Sequence, residues 1–488
     1  MREVESYFTY SNKEESLVDH NVHWRAGIGA DGSETFLPRT VIYDLKGGFG
    51  SLRKINALYE PGYETGHSEA APSLWSGQSV LQKQPPVEPS AYQKSLDAGT
   101  EPPRLTTSSV RYWSDFTRVF YHPKSLVQLY DFELNSSIRP FERYSMGTEL
   151  FQMLDKEDDI ADRDFRPFVE ECDRMQGIQT LATLDDAWGG FATQYLDVLR
   201  DEYPKSCIWL WGLQSPMLDV SREKRQLRMS NMAQSIAQAC STASMVVPLS
   251  IPEGELPRNL TVDPRSPWHV SAAFATAIES STLETRMAVG RHQQPTSMWD
   301  IVESLNTGGE QTLSRLRMGV GSSASAGQDQ EGEGVDFFDL GRLKGPREKS
   351  RKRRVFGQMS SQRGLETGSD DADDDKEEKA DARTRRLVGD PVYRRLTSEH
   401  SFDTPLKFPL LDSFPSIYAD GTDRTDISVR TVLSTETTIG PQVKTLKSLT
   451  SWSIPLDERE VLSNGLADVA DAYQDDWSSG SDEDDDDL

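Results

Sequence analysis

Thr183-Leu-Asp-Asp-Ala-Trp-Gly-Gly-Phe191 is the stretch on which the reading of this chain turns. It joins a strand-like run, Gly177-Ile-Gln-Thr-Leu-Ala182, to a helix-like one, Ala192-Thr-Gln-Tyr-Leu-Asp-Val-Leu-Arg200. In α/β folds such a junction cradles phosphates. Glycines let backbone N–H groups close on the anion, and the start of the helix adds a positive field. Gly189 and Gly190 meet the first requirement. Asp185 and Asp186, a few residues earlier in the chain, oppose the second. The position predicts a nucleotide site; the chemistry predicts one that has decayed.

Strands and helices alternate around this junction. Thr40-Val-Ile-Tyr-Asp44 is β-branched, is bounded by Pro38 and Gly47, and reads as a strand. Phe165, Phe168, Val169 and Cys172 recur at spacings that predict a helix over Asp162–Met175. Beyond the glycine turn, strands are predicted at 206–211 and 245–249, and helices at Arg225–Cys240 and Trp268–Met287. This alternation predicts a parallel sheet covered by helices on both faces. Residues 61–109 are rich in Pro, Gly, Ser and Gln in their first part and read as a long loop.

Composition bounds the rest. A chain of 488 residues has room for two or three domains. Its 36% hydrophobic content is low, which predicts that part of it is disordered. A net charge of −26 excludes bulk nucleic-acid binding. The three cysteines, Cys172, Cys207 and Cys240, are far apart and form no CxxC pair. That predicts a reducing compartment, no disulfide and no structural zinc. No apolar run approaches the ~18 residues of a membrane span, so any membrane association is expected to be peripheral.

The composition shifts at residues 319–386. A Gly/Ser/Ala linker, the basic block Lys349-Ser-Arg-Lys-Arg-Arg354 and the acidic run Asp370–Glu378 predict a disordered insertion. Residues 467–488 read as an acidic tail: from Asp468 onward there are ten acidic residues and no basic one. Ser478, Ser479 and Ser481 precede acids in the manner of acid-directed kinase sites.

Several stretches resemble tubulin. Thr35-Phe-Leu-Pro-Arg-Thr-Val-Ile-Tyr-Asp-Leu45 resembles the segment in which Pro-Arg precedes a strand ending in Asp-Leu-Glu. Met175-Gln-Gly-Ile-Gln resembles the strand entering the glycine-rich phosphate loop. Asn231-Met-Ala-Gln-Ser235 has the spacing of the core helix whose Asn touches the guanine. Pro257–Pro267 with Ser280–Arg286 resembles the opening of tubulin's second domain. A closer resemblance is to the Misato-like (Dml) family, carried by Ser6-Tyr-Phe-Thr-Tyr with Asp19–Arg25, by Trp113–Pro123 and by Asp162–Asp173.

The resemblance implies an α/β, tubulin-like fold: a Rossmann-type parallel sheet flanked by helices, plus a second α/β domain, a disordered insertion and an acidic tail. Residues 1–243 would form the nucleotide-domain remnant. Residues 244–318 and 387–466 would form the second domain. GTP is the implied cofactor, at a weak, degenerate site of Asp44, Asp186, Gly189, Gly190 and Asn231. Three departures shape that expectation. The family opens with an apolar strand and a Gly-Gln turn, which are expected upstream of Met1 and point to a misplaced start codon. Lys46 stands where tubulin has the acid that helps hold magnesium. Asp185 and Asp186 replace loop glycines. A charge pair ~5 Å apart at an effective dielectric of ~20 is worth roughly 3 kcal/mol, so two carboxylates facing a triphosphate oppose it strongly unless magnesium bridges them. No catalytic residue and no metal site is assigned, and GTPase activity is doubtful.

The function the resemblance implies is mitochondrial inheritance, that is, partitioning of mitochondria and their DNA. The chain would act as an interaction scaffold in the cytoplasm and peripherally at the mitochondrion. The alternatives are a GTP-binding, filament-forming GTPase and an assembly factor for tubulin. Tubulin, chaperonin and mitochondrial outer-surface proteins are the candidate partners. Lesser motifs carry less. Asp19-His-Asn-Val-His23 reads as a polar loop rather than a metal site, and Trp209 and Trp211 read as core. Gly47-Gly-Phe-Gly50 with Lys46 reads as a turn or an anion-binding nest. The 349–354 block is a solvated charge run, a nuclear signal or a dock for anionic lipid or an acidic partner.

Overall fold

The computed structural model describes residues 16–28, 34–52, 87–217, 219–288, 295–321, 334–340, 353–364, 398–419, 425–450 and 456–474. The chain forms two compact units. One comprises Met1–Pro140 with Asp162–Asp173; the other comprises Phe141–Ala161 with Arg174–Leu488.

In the first unit, β1 (Trp24–Ile28) and β2 (Glu34–Pro38) form an antiparallel pair. β3 (Ile42–Lys46) runs parallel to β4 (Leu126–Glu133). Trp24, Val119 and Tyr121 make a small core, against which Ile42, Trp113 and Leu126 pack. The expected 61–109 loop contains a helix, α1 (Ala91–Asp97). Ser90 caps it by accepting from Gln93 N at 3.1 Å, and buried Gln93 donates to the Ser114 and Thr117 carbonyls at 3.0 and 2.6 Å. Residues 61–86 of that loop lie outside the described residues. The helix expected at 162–175 is a π-helical turn at Ala161–Phe165 followed by a short α-helix at Arg166–Glu170.

In the second unit, α2 (Tyr144–Asp158) precedes β5 (Gly177–Thr183), α3 (Ala187–Glu202), β6 (Cys207–Leu213), α4 (Arg222–Thr242) and β7 (Met245–Leu249). The three strands form a parallel sheet in the order β5-β6-β7. β6 is buried from Cys207 to Trp211, the continuous apolar run expected of a strand covered on both faces. β5 is the outer strand among the described residues, and its Leu181 is 57% exposed.

The chain continues through α5 (Pro267–Thr282), α6 (Met298–Leu305), β8 (Arg315–Val320), β9 (Val335–Asp336), β10 (Val355–Arg363), β11 (Ser398–Thr404), β12 (Phe408–Pro409), β13 (Asp426–Ile427) and β14 (Val429–Glu436). Two helices, α7 (Ile439–Thr450) and α8 (Leu456–Asp471), follow. The second sheet has the order β11-β10-β14-β8-β9, antiparallel except for β10 with β11.

Three expected boundaries need correction. A division at 243/244 does not occur, because one core crosses it. Trp209, Trp211 and Val247 of the parallel sheet share that core with Leu316, Met318, Met359 and Leu433 of the second sheet. The 319–386 span is not a wholly disordered insertion. β9 and β10 lie inside it, and β10 pairs along its length with β11 and β14; residues 322–333, 341–352 and 365–386 lie outside the described residues. The acidic tail does not begin at 467, because α8 runs to Asp471 and Tyr473 is buried, donating its hydroxyl to the Leu313 carbonyl at 2.6 Å.

Candidate nucleotide site at the turn between β5 and α3

β5 ends at Thr183, and three residues later Asp186 starts α3. Asp186 is extended and turns its carboxylate back onto the helix it begins. Oδ1 accepts from Trp188 N at 2.9 Å and from the Thr183 hydroxyl at 2.5 Å. This is an N-cap in which the protein's own anion occupies the positive end of the helix. Burial pushes the Asp186 carboxyl up to about 6, Thr183 and Trp188 pull against that, and neighbouring Asp185 adds to it.

Asp185 points elsewhere. It is 1% exposed and accepts from Ser215 N at 3.0 Å and from the Ser215 hydroxyl at 3.4 Å, with Arg228 Nε 3.8 Å away. Burial raises its pKa, while Arg228 and Ser215 oppose the shift. The two carboxylates therefore have separate partners and do not converge on a common point. Among the described residues no group of three or more His, Cys, Asp or Glu side chains could hold a metal ion.

The glycines serve packing. A Cβ on Gly189 would stand 2.2 Å from Ser235 Oγ of α4, and one on Gly190 would stand 2.0 Å from the Tyr144 carbonyl at the start of α2. Both glycines are needed, but for the approach of helices rather than of an anion. Asn231 is 2% exposed, and its amide is fully engaged. Nδ2 donates to the Glu142 carbonyl at 2.7 Å and to the Asp185 carbonyl at 3.0 Å, and Oδ1 accepts from Tyr144 N at 3.0 Å. Ser235, one turn along, donates to the Leu184 carbonyl at 3.0 Å. The residues of α4 that the sequence matches to a guanine contact thus staple the core helix to the turn and to the start of α2.

Asp186, Gly189, Gly190 and Asn231 lie together at the turn, with both polar atoms of the Asn231 amide hydrogen-bonded. The donors and charges left at this turn do not fit a triphosphate: the helix end is capped by a carboxylate, and a second carboxylate is adjacent. Aromatic rings close the surface, with Phe141 and Phe191 edge-on to Trp188 at 5.3 and 5.6 Å.

Asp44 belongs to the first unit. It accepts from its own neighbour Leu45 N at 2.8 Å and from Trp113, and burial raises its pKa against these bonds. Gly48 packs directly on the carboxylate; a Cβ there would meet Asp44 Cγ at 2.2 Å. Lys46 pairs with Glu133 at 3.1 Å. The Gly47–Gly50 segment is a tight turn, with Gly47 and Gly50 at positive φ, that encloses an acid.

The family model described as "Tubulin domain" matches residues 102–287, and the one described as "Misato Segment II tubulin-like domain" matches residues 3–98. Protein DML1 of Gibberella zeae is 56% identical, the match covering 99% of this chain and 95% of the relative. The chain belongs to the Misato/DML1 family. Protein dml-1 of Neurospora crassa is 45% identical over 99% of this chain and 96% of its own length. Protein dml1 of Aspergillus niger is 41% identical over 99% and 95%. The parallel strands flanked by helices are thus those of a tubulin-like Misato/DML1 fold.

In this Misato/DML1 chain, sequence reasoning missed the residues that fill the turn. Gly147 packs on Ala187, Phe141 covers Trp188, and Thr193 bonds Tyr144 Oη at 2.9 Å. All lie on α2, just before it, or on the face of α3 that meets it. Gly147 in the first turn of α2 was the available signal, since a glycine inside a helix marks close backbone approach. Of the lesser motifs, His20 bonds Ser16 Oγ at 3.1 Å and Asp19 accepts from Asn21 N at 3.0 Å, so that stretch is a local polar turn. Trp209 and Trp211 are fully buried in the core.

Proposed function

We propose that this Misato/DML1 chain acts as an interaction scaffold in the partitioning of mitochondria and their DNA, with weak or absent GTPase activity. The observation that carries the scaffold reading is the saturation of Asn231. Its three hydrogen bonds all go to the protein's own backbone, and the adjacent helix end is capped by Asp186. A guanine could be bound only by breaking the staple, and a phosphate only by displacing a fixed anion. The mitochondrial part rests on the family resemblance. The scaffold would work in the cytoplasm and peripherally at the mitochondrion, through protein partners such as tubulin, a chaperonin or outer-surface proteins. No described helix is long and apolar enough to cross a membrane.

Titration of fluorescent GTP with magnesium into purified full-length protein tests the scaffold half. The expected result is no saturation through the micromolar range and no phosphate release above buffer. Magnesium-dependent micromolar affinity with turnover would replace this reading with a filament-forming GTPase. The mitochondrial half is tested in cells depleted of the protein, where retention of mitochondrial DNA should fall and an Asp44→Asn chain should restore it. Unchanged retention on depletion would remove it.

A further inference from the structure

The last described residues lie beside the start of β10. The Tyr473 ring is edge-on to Phe356 at 6.4 Å between centroids, and Gln311 Nε2 donates to the Ala472 carbonyl at 3.2 Å. Phe356 in turn carries the Arg354 guanidinium over its face at 5.7 Å. The acidic tail therefore departs within two ring contacts of Arg354.

Positive charge is concentrated there. Buried Glu436 of β14 is met by Arg315, by Arg317 at 3.0 and 3.1 Å, and by Arg353 at 2.6 Å. Arg315 and Arg317 also reach Asp336 at 3.2 and 3.5 Å. Among the described residues, three guanidiniums thus meet two carboxylates, with Arg354 alongside. Glu436 has no side-chain exposure, whereas the Arg353 side chain that donates Nε to it remains 34% exposed. A guanidinium already bound to one carboxylate still presents a planar edge to a second.

Residues 475–488 hold eight acidic side chains and no basic one. Fully extended, such a segment reaches up to roughly 50 Å. Tethered at Tyr473, it is offered to the cluster at an effective concentration on the order of millimolar.

We propose that the acidic tail, residues 475–488, docks in cis on the arginine cluster of Arg353, Arg354 and Arg317 at the start of β10. Docked, it masks that surface from other polyanionic partners. Phosphorylation of Ser478, Ser479 or Ser481 adds charge and acceptor oxygens to the same segment and tightens the clasp. Salt loosens it.

A fluorescein-labelled peptide of residues 475–488 tests this against two full-length chains: wild type, and a variant whose eight tail acids are changed to Asn or Gln. At low salt the neutral-tail chain should bind the peptide, and wild type should bind at least tenfold more weakly because its own tail competes. R353E/R354E in the neutral-tail background should abolish binding. Arg354→Glu alone, which leaves the three arginines around Glu436 in place, should weaken it at least threefold with an unchanged melting curve. A triply phosphorylated peptide should bind more tightly. Equal binding by wild type and neutral-tail chains, no binding by either, or binding indifferent to Arg354→Glu would overturn the proposal. A tail-dependent dimer in sedimentation would assign the contact to a second copy and overturn the cis clasp.

Discussion

Gly147 and Ala187 meet with no space between them: a Cβ at position 147 would stand 1.7 Å from the Ala187 carbonyl oxygen. Gly190 makes the reciprocal approach from α3 to the start of α2. Helices that cross at glycines on both sides cannot separate slightly to admit a methyl without moving the turn they flank. Gly147→Ala is expected to lower stability by about 1–3 kcal/mol through overpacking. Urea unfolding should show this, with the same loss in the presence and absence of GTP. A loss that GTP restores would mean that a ligand uses this turn.

Asn231→Ala should be more damaging than its volume suggests. It leaves Tyr144 N–H without its acceptor and strips a donor from the Glu142 and Asp185 carbonyls. Each buried group left unpaired costs about 1–3 kcal/mol. A drop of roughly 3 kcal/mol is expected, along with faster hydrogen exchange at Tyr144. Unchanged exchange there would show that the staple is not made in solution.

Asp186 and Glu436 predict opposite responses to pH. The Asp186 carboxyl, ordinarily near 3.8, lies at about 6 in the folded protein. The fold prefers its neutral form, so stability falls as pH rises from about 4 through about 6. Asp186→Asn keeps an acceptor for Trp188 N and removes the titration. The variant should be as stable as wild type near pH 4 and more stable by about 1–3 kcal/mol at pH 7. Thermal melts across that interval measure the difference.

For Glu436, burial raises the carboxyl, but Arg315, Arg317, Thr438 and Arg353 together hold it at about 2, below its ordinary 4.5. The fold prefers the anion. Its contribution is complete above about 4.5 and is lost as pH falls through about 2. Glu436→Gln should cost about 3–5 kcal/mol at pH 7, since three guanidiniums lose their counter-charge. It should also flatten the acid limb of the stability profile. A variant with the wild-type acid limb would show that the cluster does not set it.

The parallel half of the fold was legible because its signals are local. β6 is an unbroken apolar run, β7 likewise, and the intervening helices keep a regular periodicity. β10 was not legible. Val355-Phe-Gly-Gln-Met-Ser-Ser-Gln-Arg363 is largely polar and follows a basic block. Its order comes from distant residues: Ser361 donates to the Ser280 carbonyl at 2.8 Å, and Arg363, fully buried, donates to the Leu406 and Lys407 carbonyls at 3.0 and 2.7 Å. No window-based pattern contains that information. At the candidate site, position in the sequence places Asp186 and Asn231 at the turn but does not say what they bond. That Asn231 bonds backbone rather than a base depends on Glu142 and Tyr144, which lie 89 and 87 residues away.

The arginine cluster also bears on how the chain is made. Arg315 and its counter-charge Glu436 are 121 residues apart in sequence. At ~5–20 residues per second, a ribosome takes roughly 6–24 s to bring the second out after the first. Throughout that interval the nascent sheet lacks its central strand β14, and Arg315 and Arg317 have Asp336 but not Glu436 to face. Completion of this half of the molecule therefore comes late in synthesis, and a truncation before β14 leaves β8 and β10 without the strand that lies between them.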